Sequence, residues 1–144
     1  MSIKSFFAIP FAKIATKKVY KWANKPHKTQ EKVFKNLISK GSKTAFGKDH
    51  NFNNITTYEE FKKQVKITDY EGLRKYVDRI VAGESDVLWT GKPLYFAKTS
   101  GTTSGAKYIP ITKDSMPTHI TAAKNAMLFY IVEKNDASFV NGKM

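Results

Sequence analysis

Lys98-Thr-Ser-Gly-Thr-Thr-Ser-Gly-Ala-Lys107, set between Leu94-Tyr-Phe-Ala97 and Tyr108-Ile-Pro-Ile111, decides how this chain is read. The two flanks are short β-favouring runs, so the stretch predicts strand, small-residue loop, strand. From Thr99 to Gly105 there are five hydroxyl residues and two glycines and nothing else. Such a loop bends sharply and turns hydroxyl and amide donors toward one place. Phosphate oxygens accept from those donors, glycines let a bulky anion approach the backbone, and Lys107 adds a mobile positive charge. Bonds to charged acceptors contribute about 1.5–3 kcal/mol each, so a few of them would hold a triphosphate. Two better-known phosphate motifs do not fit. A Walker loop needs four residues between its glycines followed by Lys and Ser/Thr, whereas Gly101 and Gly105 enclose three and Ala106 precedes Lys107. Gly-x-Gly-x-x-Gly is also lacking, because Thr103, not glycine, follows Gly101 by two residues.

Upstream of the loop the periodicity is helical. Phe11, Ile14, Ala15, Val19 and Trp22 recur at helical spacing with lysines between them, and Val33, Phe34, Leu37 and Ile38 form a second set that Gly41 is expected to close. A Gly/Lys/Asn-rich connection, 41–54, leads to Thr57-Tyr-Glu-Glu60, a capping box opening a short helix with Phe61 and Val65 on one face. Thr68-Asp-Tyr-Glu71 reads as a second box, opening a helix that carries Leu73, Tyr76, Val77, Ile80 and Val81 and stops at Gly83. Downstream, Asp114 or Ser115 can cap a long helix with Pro117 in its first turn and Ile120, Ala123, Met127, Tyr130 and Ile131 along one face. At Asn141-Gly-Lys-Met144 a turn and a further strand would be expected to start. The fold class is therefore α/β: three or four N-terminal helices, a strand–loop–strand element, then a helix.

The 144 residues, 41% hydrophobic and 26% charged, fall in the range of ordinary globular sequence. Zero Cys excludes disulfides, thiolate zinc sites, iron–sulfur clusters and cysteine nucleophiles. His27, His50 and His119 have no second ligand at metal spacing, so no metal site is assigned. Glu59 with Glu60 reads as helix capping, and no catalytic residue is assigned. The longest apolar run, 6–12, contains Pro10 and is far shorter than the roughly 20 residues of a membrane span. Lysines are interleaved with the first apolar residues instead of preceding them, which argues against a signal peptide and for a cytoplasmic chain.

Charge is uneven. The net is +13 overall, and residues 1–50 hold 12 Lys against Glu31 and Asp49. That 1–50 basic helical region raises nucleic-acid binding as an alternative, but both arginines, Arg74 and Arg79, lie elsewhere, and Arg is the usual reader of bases. No specific nucleic-acid partner is expected. Phe6, Phe7, Phe11 and Trp22 among lysines also admit a membrane-surface helix, against the alternative that they pack on the rest of a larger protein.

Thr99-Ser-Gly-Thr-Thr103 followed after three residues by Lys107 resembles the phosphate-gripping loop of adenylate-forming enzymes, although Ser104 and Ala106 stand where many members have Gly and Pro. A narrower pattern accommodates those departures. Ala45-Phe-Gly-Lys48, Tyr58-Glu-Glu-Phe61, Asp69-Tyr-Glu71, Tyr76-Val-Asp-Arg-Ile80, Gly83-Glu84, the loop and Tyr108-Ile-Pro110 together resemble the auxin-responsive promoter family of acyl acid-amido synthetases over residues 30–144. Plant members have one more residue between the second loop glycine and the Lys-hydrophobic-Pro segment.

The resemblance implies that residues 1–144 are the N-terminal portion of a larger adenylate-forming domain, with 94–111 as its phosphate-loop region. It implies ATP with Mg as cosubstrate and a small carboxylic acid and an amino acid as the partners joined. Thr99, Ser100, Thr102, Thr103 and Ser104 would hold the phosphates, Gly101 and Gly105 would give the loop its reach, and Lys107 would offset pyrophosphate charge. The helix over 115–132 would help wall the acid pocket. Adenine- and metal-binding motifs would come from the remainder of the polypeptide, so the 144 residues alone are expected to be inactive. An acyl-CoA ligase is the enzymatic alternative, and Tyr108-Ile-Pro110 favours amide formation.

Overall fold

The computed structural model describes residues 3–100 and 105–142. It is mostly helical with one small antiparallel sheet: α1 (Ile3–Ala23), α2 (Pro26–Gly41), α3 (Ala45–Asp49), α4 (Tyr58–Gln64), α5 (Tyr70–Val81), β1 (Tyr95–Lys98), β2 (Tyr108–Ile111) and α6 (Met116–Lys134), with single 3-10 turns at Phe52–Asn54 and Ser138–Asn141. The α/β character agrees with the sequence reading, with five helices ahead of the hairpin. The chain divides into two compact units, Gln30–Met116 and Met1–Thr29 with Pro117–Met144.

The Gln30–Met116 unit is built on rings. Ile38, Phe52 and Ile55 form one buried cluster with Phe34, Phe46, Phe61 and Val65 against it. Tyr76, Ile80 and Val87 form a second, with Ala45, Phe46, Leu73 and Leu88. Phe46 serves both, lying 5.9 Å from the Phe52 ring and 5.2 Å from the Tyr76 ring in edge-on contact, the geometry the aromatic quadrupole favours. Tyr76 is buried, and its hydroxyl donates to Asp49 Oδ2 at 2.7 Å.

The 41–54 connection, expected to be irregular, contains α3 and a 3-10 turn. Five residues are too few for a periodicity signal. The buried Thr44 caps α3 by accepting from the Gly47 N–H at 3.0 Å, and Ala45 and Phe46 donate to the carbonyls of Asp86 and Val87. Gly41 ends α2 as expected, but for a different reason from a left-handed cap. A Cβ on Gly41 would stand 2.9 Å from the Phe52 ring, and one on Gly47 only 2.0 Å from the Gly41 carbonyl oxygen. Both positions are glycine because two backbones and a ring meet there.

The Thr57 capping box forms as predicted: Thr57 Oγ1 accepts from the Glu60 N–H, and Glu60 accepts from the Thr57 N–H at 3.0 Å. The second box does not. Asp69, not Thr68, caps α5 through the Gly72 N–H, and Glu71 instead pairs with Arg74. Asp is as good a cap as Thr, and its position one residue later leaves Glu71 in the first turn, facing Arg74 three residues on. Gly83 terminates α5 at φ +95°, the left-handed stop expected there.

In the other unit, Ala12, Leu128, Ile131 and Ala137 are the buried core, with Ile9, Ala15, Val132 and Phe139 packed on it. Asn141 Nδ2 donates to Ser5 Oγ at 2.9 Å. The buried face of α6 is only partly the expected one, Ile131 being buried as expected. Leu128 and Ile131 are buried, whereas Ile120, Met127 and Tyr130 are exposed. This helix is apolar on nearly every side, so periodicity could not choose a face; contact with the small Ala12 chose it. The proposed caps are also otherwise engaged. Asp114 accepts from Lys40 at 2.6 Å and from the Trp89 indole at 3.2 Å, and Ser115 exchanges hydrogen bonds with Thr112. The Lys40 contact, then that of Trp89, holds the Asp114 carboxyl below the usual range. Among the described residues no helix is long and apolar enough to cross a membrane.

Candidate functional site

The strands on either side of the Ser/Thr/Gly loop pair in one register, Tyr95 with Ile111, Phe96 with Pro110, Ala97 with Ile109 and Lys98 with Tyr108. β1 starts one residue later than expected, although Leu94 N–H still donates to Ile111 O at 2.8 Å. The ladder continues past the strands. Thr99 N–H donates to Lys107 O at 3.0 Å, and Lys107 N–H donates to Thr99 Oγ1 at 3.3 Å. Thr99 and Lys107, eight positions apart in sequence, thereby close the base of the loop. Gly105 sits at φ +77° with open space around it, where a side chain would be strained by the backbone alone. Thr99, Ser100 and Gly105 are exposed and Lys107 is partly buried. Gly101, Thr102, Thr103 and Ser104, the remaining expected phosphate ligands, lie outside the described residues.

One contact at this base had no sequence signal. Tyr70, in the first turn of α5, accepts from the Tyr108 N–H through its hydroxyl at 2.9 Å. Its ring carries the Lys107 ammonium 5.4 Å from the centroid and the Arg74 guanidinium at the same distance, both within cation–π range. Arg74 is itself held by both Glu71 oxygens at 2.7 Å. That pairing, with a smaller contribution from Lys107, draws the Glu71 carboxyl below its ordinary range. Tyr70 thus ties the loop base to α5 and holds the Lys107 stem at one side of it. A pair 38 residues apart leaves no local pattern.

The donor set suits a polyanion. No Asp or Glu occurs from Leu94 to Thr112, while Lys98 and Lys107 stand on the two strand ends and the loop between them is hydroxyls and glycines. The same composition is unsuited to a bare cation, since it offers no carboxylate. Among the described residues no group of three His, Asp or Glu could hold a metal ion. His50 is engaged with its own helix, its Nδ1 2.8 Å from Phe46 O and its ring stacked on Phe46.

Residues 15–143 match the model of the GH3 family N-terminal domain, and the chain belongs to that family. The resemblance read from the motifs, to the auxin-responsive acyl acid-amido synthetases, agrees with this assignment. The chain is 32% identical over 94 residues to the indole-3-acetic acid-amido synthetase GH3.15 of Arabidopsis thaliana, covering 64% of this chain and 16% of that protein. It is 27% identical over 118 residues to the jasmonoyl-L-amino acid synthetase JAR4 of Nicotiana attenuata, covering 81% of this chain and 20% of that one. With the 4-substituted benzoates-glutamate ligase GH3.12 of Arabidopsis thaliana it shares 34% identity over 79 residues, 54% of this chain and 14% of the relative. The chain therefore spans a fifth or less of the length of these relatives.

Proposed function

We propose that these residues are the N-terminal, phosphate-holding portion of an ATP-dependent ligase that activates a small carboxylic acid as an acyl-adenylate and transfers the acyl group to an amino-acid amine. The observation that carries this reading is the closed hairpin base, Thr99 against Lys107, beneath a loop of hydroxyls and glycines free of acidic residues, in a chain of the GH3 family. Relatives named as joining acids to amino acids support an amine, not a thiol, as acceptor.

In this reading the acid's carboxylate attacks the α-phosphorus of the magnesium complex of ATP, pyrophosphate leaves, and the amine then displaces AMP. The chain's own task is positional and electrostatic. Thr99, Ser100, Thr102, Thr103 and Ser104 donate to phosphate oxygens, Gly101 and Gly105 let the loop close over them, and Lys107 offsets the charge on the departing pyrophosphate. Tyr70 limits where the Lys107 stem can go, so that its charge is in place before the substrate arrives. α6 contributes a wall beside the acid. The adenine and the magnesium ion are held by the rest of the polypeptide, and a cytoplasmic location suits these substrates.

Acid-dependent exchange of labelled pyrophosphate into ATP tests the reading. The 144 residues alone give no exchange; a polypeptide continuing them to the relatives' length gives it. In that longer protein Ser100→Ala with Thr102→Val lowers exchange by about 100- to 10,000-fold, the loss expected for two bonds to charged oxygens at about 1.5–3 kcal/mol each. Robust exchange by the short chain would refute its proposed inactivity, and an unchanged rate in the loop variant would remove the loop from the phosphates.

A further inference from the structure

Each lysine at the loop base has an aromatic seat, and the two seats differ in origin. Lys98 stands opposite Tyr108 in the ladder, so both point to one face of the hairpin, and the Lys98 ammonium lies 5.9 Å from the Tyr108 ring. Lys107, one position along, points to the other face. Its ladder neighbours there, Thr99, Ala97 and Ile109, carry no ring. The ring 5.4 Å from its ammonium is that of Tyr70, brought by α5.

The Tyr70 hydroxyl sets that seat. Thr99 N–H donates to Lys107 O, so the amide of Tyr108, next along, faces away from β1, and it donates to the Tyr70 hydroxyl at 2.9 Å. The following outward position of β2 is Pro110, which has no N–H. One phenol therefore satisfies the outer donor edge of β2 and fixes the residue adjoining Lys107. The ring is also shared: Arg74 stands 5.4 Å from its centroid, and Glu71 takes Arg74 with both oxygens at 2.7 Å. Asp69, the other carboxylate of this turn, accepts from the Gly72 N–H. Arg74 first, and Lys107 after it, hold the Glu71 carboxyl below its ordinary range, so that carboxylate is within electrostatic reach of the Lys107 ammonium. A contact with an exposed ring is weaker than a charge-assisted hydrogen bond. An ammonium on a ring therefore passes readily to a phosphate oxygen, whereas one held by a carboxylate has to leave a bond of the same kind.

We propose that Tyr70 and Arg74 are positioning residues for Lys107: the Tyr70 ring seats the ammonium until phosphate oxygens take it, and Arg74 keeps Glu71 from capturing it. This rests on the reading of Lys107 as the lysine that offsets pyrophosphate charge. Nuclear magnetic resonance of the nucleotide-free 144-residue chain with isotope-labelled lysine tests the seat. The Lys107 ε-methylene protons resonate upfield of lysines that have no ring beside them. Tyr70→Phe keeps that shift and Tyr70→Leu abolishes it. Arg74→Met also abolishes it, as Glu71 takes the ammonium, and adding Glu71→Gln restores it. In the continuation to the relatives' length, pyrophosphate exchange follows the same order. Tyr70→Leu lowers it about 5- to 70-fold, the loss of a ring contact and a neutral hydrogen bond together. Arg74→Met lowers it by up to about fivefold, the strength of a surface ion pair, and Glu71→Gln added to it recovers the rate. Arg74 lies at the helix surface, with 41% of its side chain exposed, so its variants decide the question if Tyr70→Leu does not fold. An unshifted Lys107 in the unaltered chain, a shift indifferent to Tyr70→Leu, or a loss in Arg74→Met that Glu71→Gln does not repair would each overturn the proposal. Lys107→Met separates it from the catalytic reading. If that variant lowers exchange and Tyr70→Leu and Arg74→Met do not, the seat is wrong and the reading stands; if it leaves exchange unchanged, both fall.

Discussion

Between Gln30 and Met116 the rings of Phe34, Phe46, Phe52, Phe61 and Tyr76 are packed edge to face against one another, while in α1 those of Phe6, Phe7, Phe11 and Trp22 stand at the surface. The first unit uses aromatic area to hold itself together. The second is held by Ala12, Leu128, Ile131 and Ala137, small and aliphatic groups. The difference teaches that aromatic content says nothing of where the core lies. What decides is what stands opposite: a bare glycine at position 41 leaves room for the Phe52 ring, whereas Leu128, Ile131 and Ala137 meet the small Ala12.

The contrast can be broken by unfolding measurements in urea. Tyr76→Ala should cost about 3–5 kcal/mol, the range for deleting a buried ring, because Tyr76 packs on Phe46 and anchors Asp49. Burial, and then the bond to Asp49, pushes its phenol up to about 12; ultraviolet titration of the folded chain should find one tyrosine ionising well after the exposed ones. In the other unit Leu128→Ala should cost about 2–5 kcal/mol, whereas the adjacent Met127→Ala should stay within about 0.5 kcal/mol. Equal losses would mean that α6 presents a different face.

A smaller effect belongs to the α4 cap. Thr57→Ala should cost about 1 kcal/mol. Its partner Glu60 is held down to about 2 from an ordinary 4.5, first by the Thr56 N–H, then by the Thr57 N–H and the Thr56 hydroxyl. A carboxyl lowered in the folded state stabilises above its ordinary value and loses that contribution as pH falls toward the folded one. The stability gap between the chain and its Glu60→Ala variant should therefore be full above pH 4.5 and close progressively toward pH 2. Smallest of all, Phe6→Ser with Phe7→Ser should shift stability by no more than about 0.5 kcal/mol. A loss of several kcal/mol there would place those rings in a core and end the comparison.

The elements legible in advance were those that carry their instructions locally. Thr57 and Glu60 cap a helix three residues apart, Gly83 stops one, and the β-favouring runs around Thr99–Gly105 form the hairpin. Illegible elements depended on partners distant in sequence. α3 is five residues held by Asp86 and Val87, and the face of α6 was chosen by Ala12. For the site, composition picked out the loop and its lysine. It could not pick out Tyr70, whose role arises because the first turn of α5 meets β2.

By itself the sequence determined that capped helices precede a strand–loop–strand element, that the loop is rich in donors and lacks acids, that lysines crowd the first third, and that the family is the one its motifs resemble. Each of these rests on neighbours within a few residues, where hydrogen-bond reach and side-chain period act directly. The tertiary structure alone decided which glycines are contact points, which face of α6 is buried, which rings on α1 stay outside, and which tyrosine seats Lys107. Those depend on what stands across a gap, and a side chain's burial is a property of both walls.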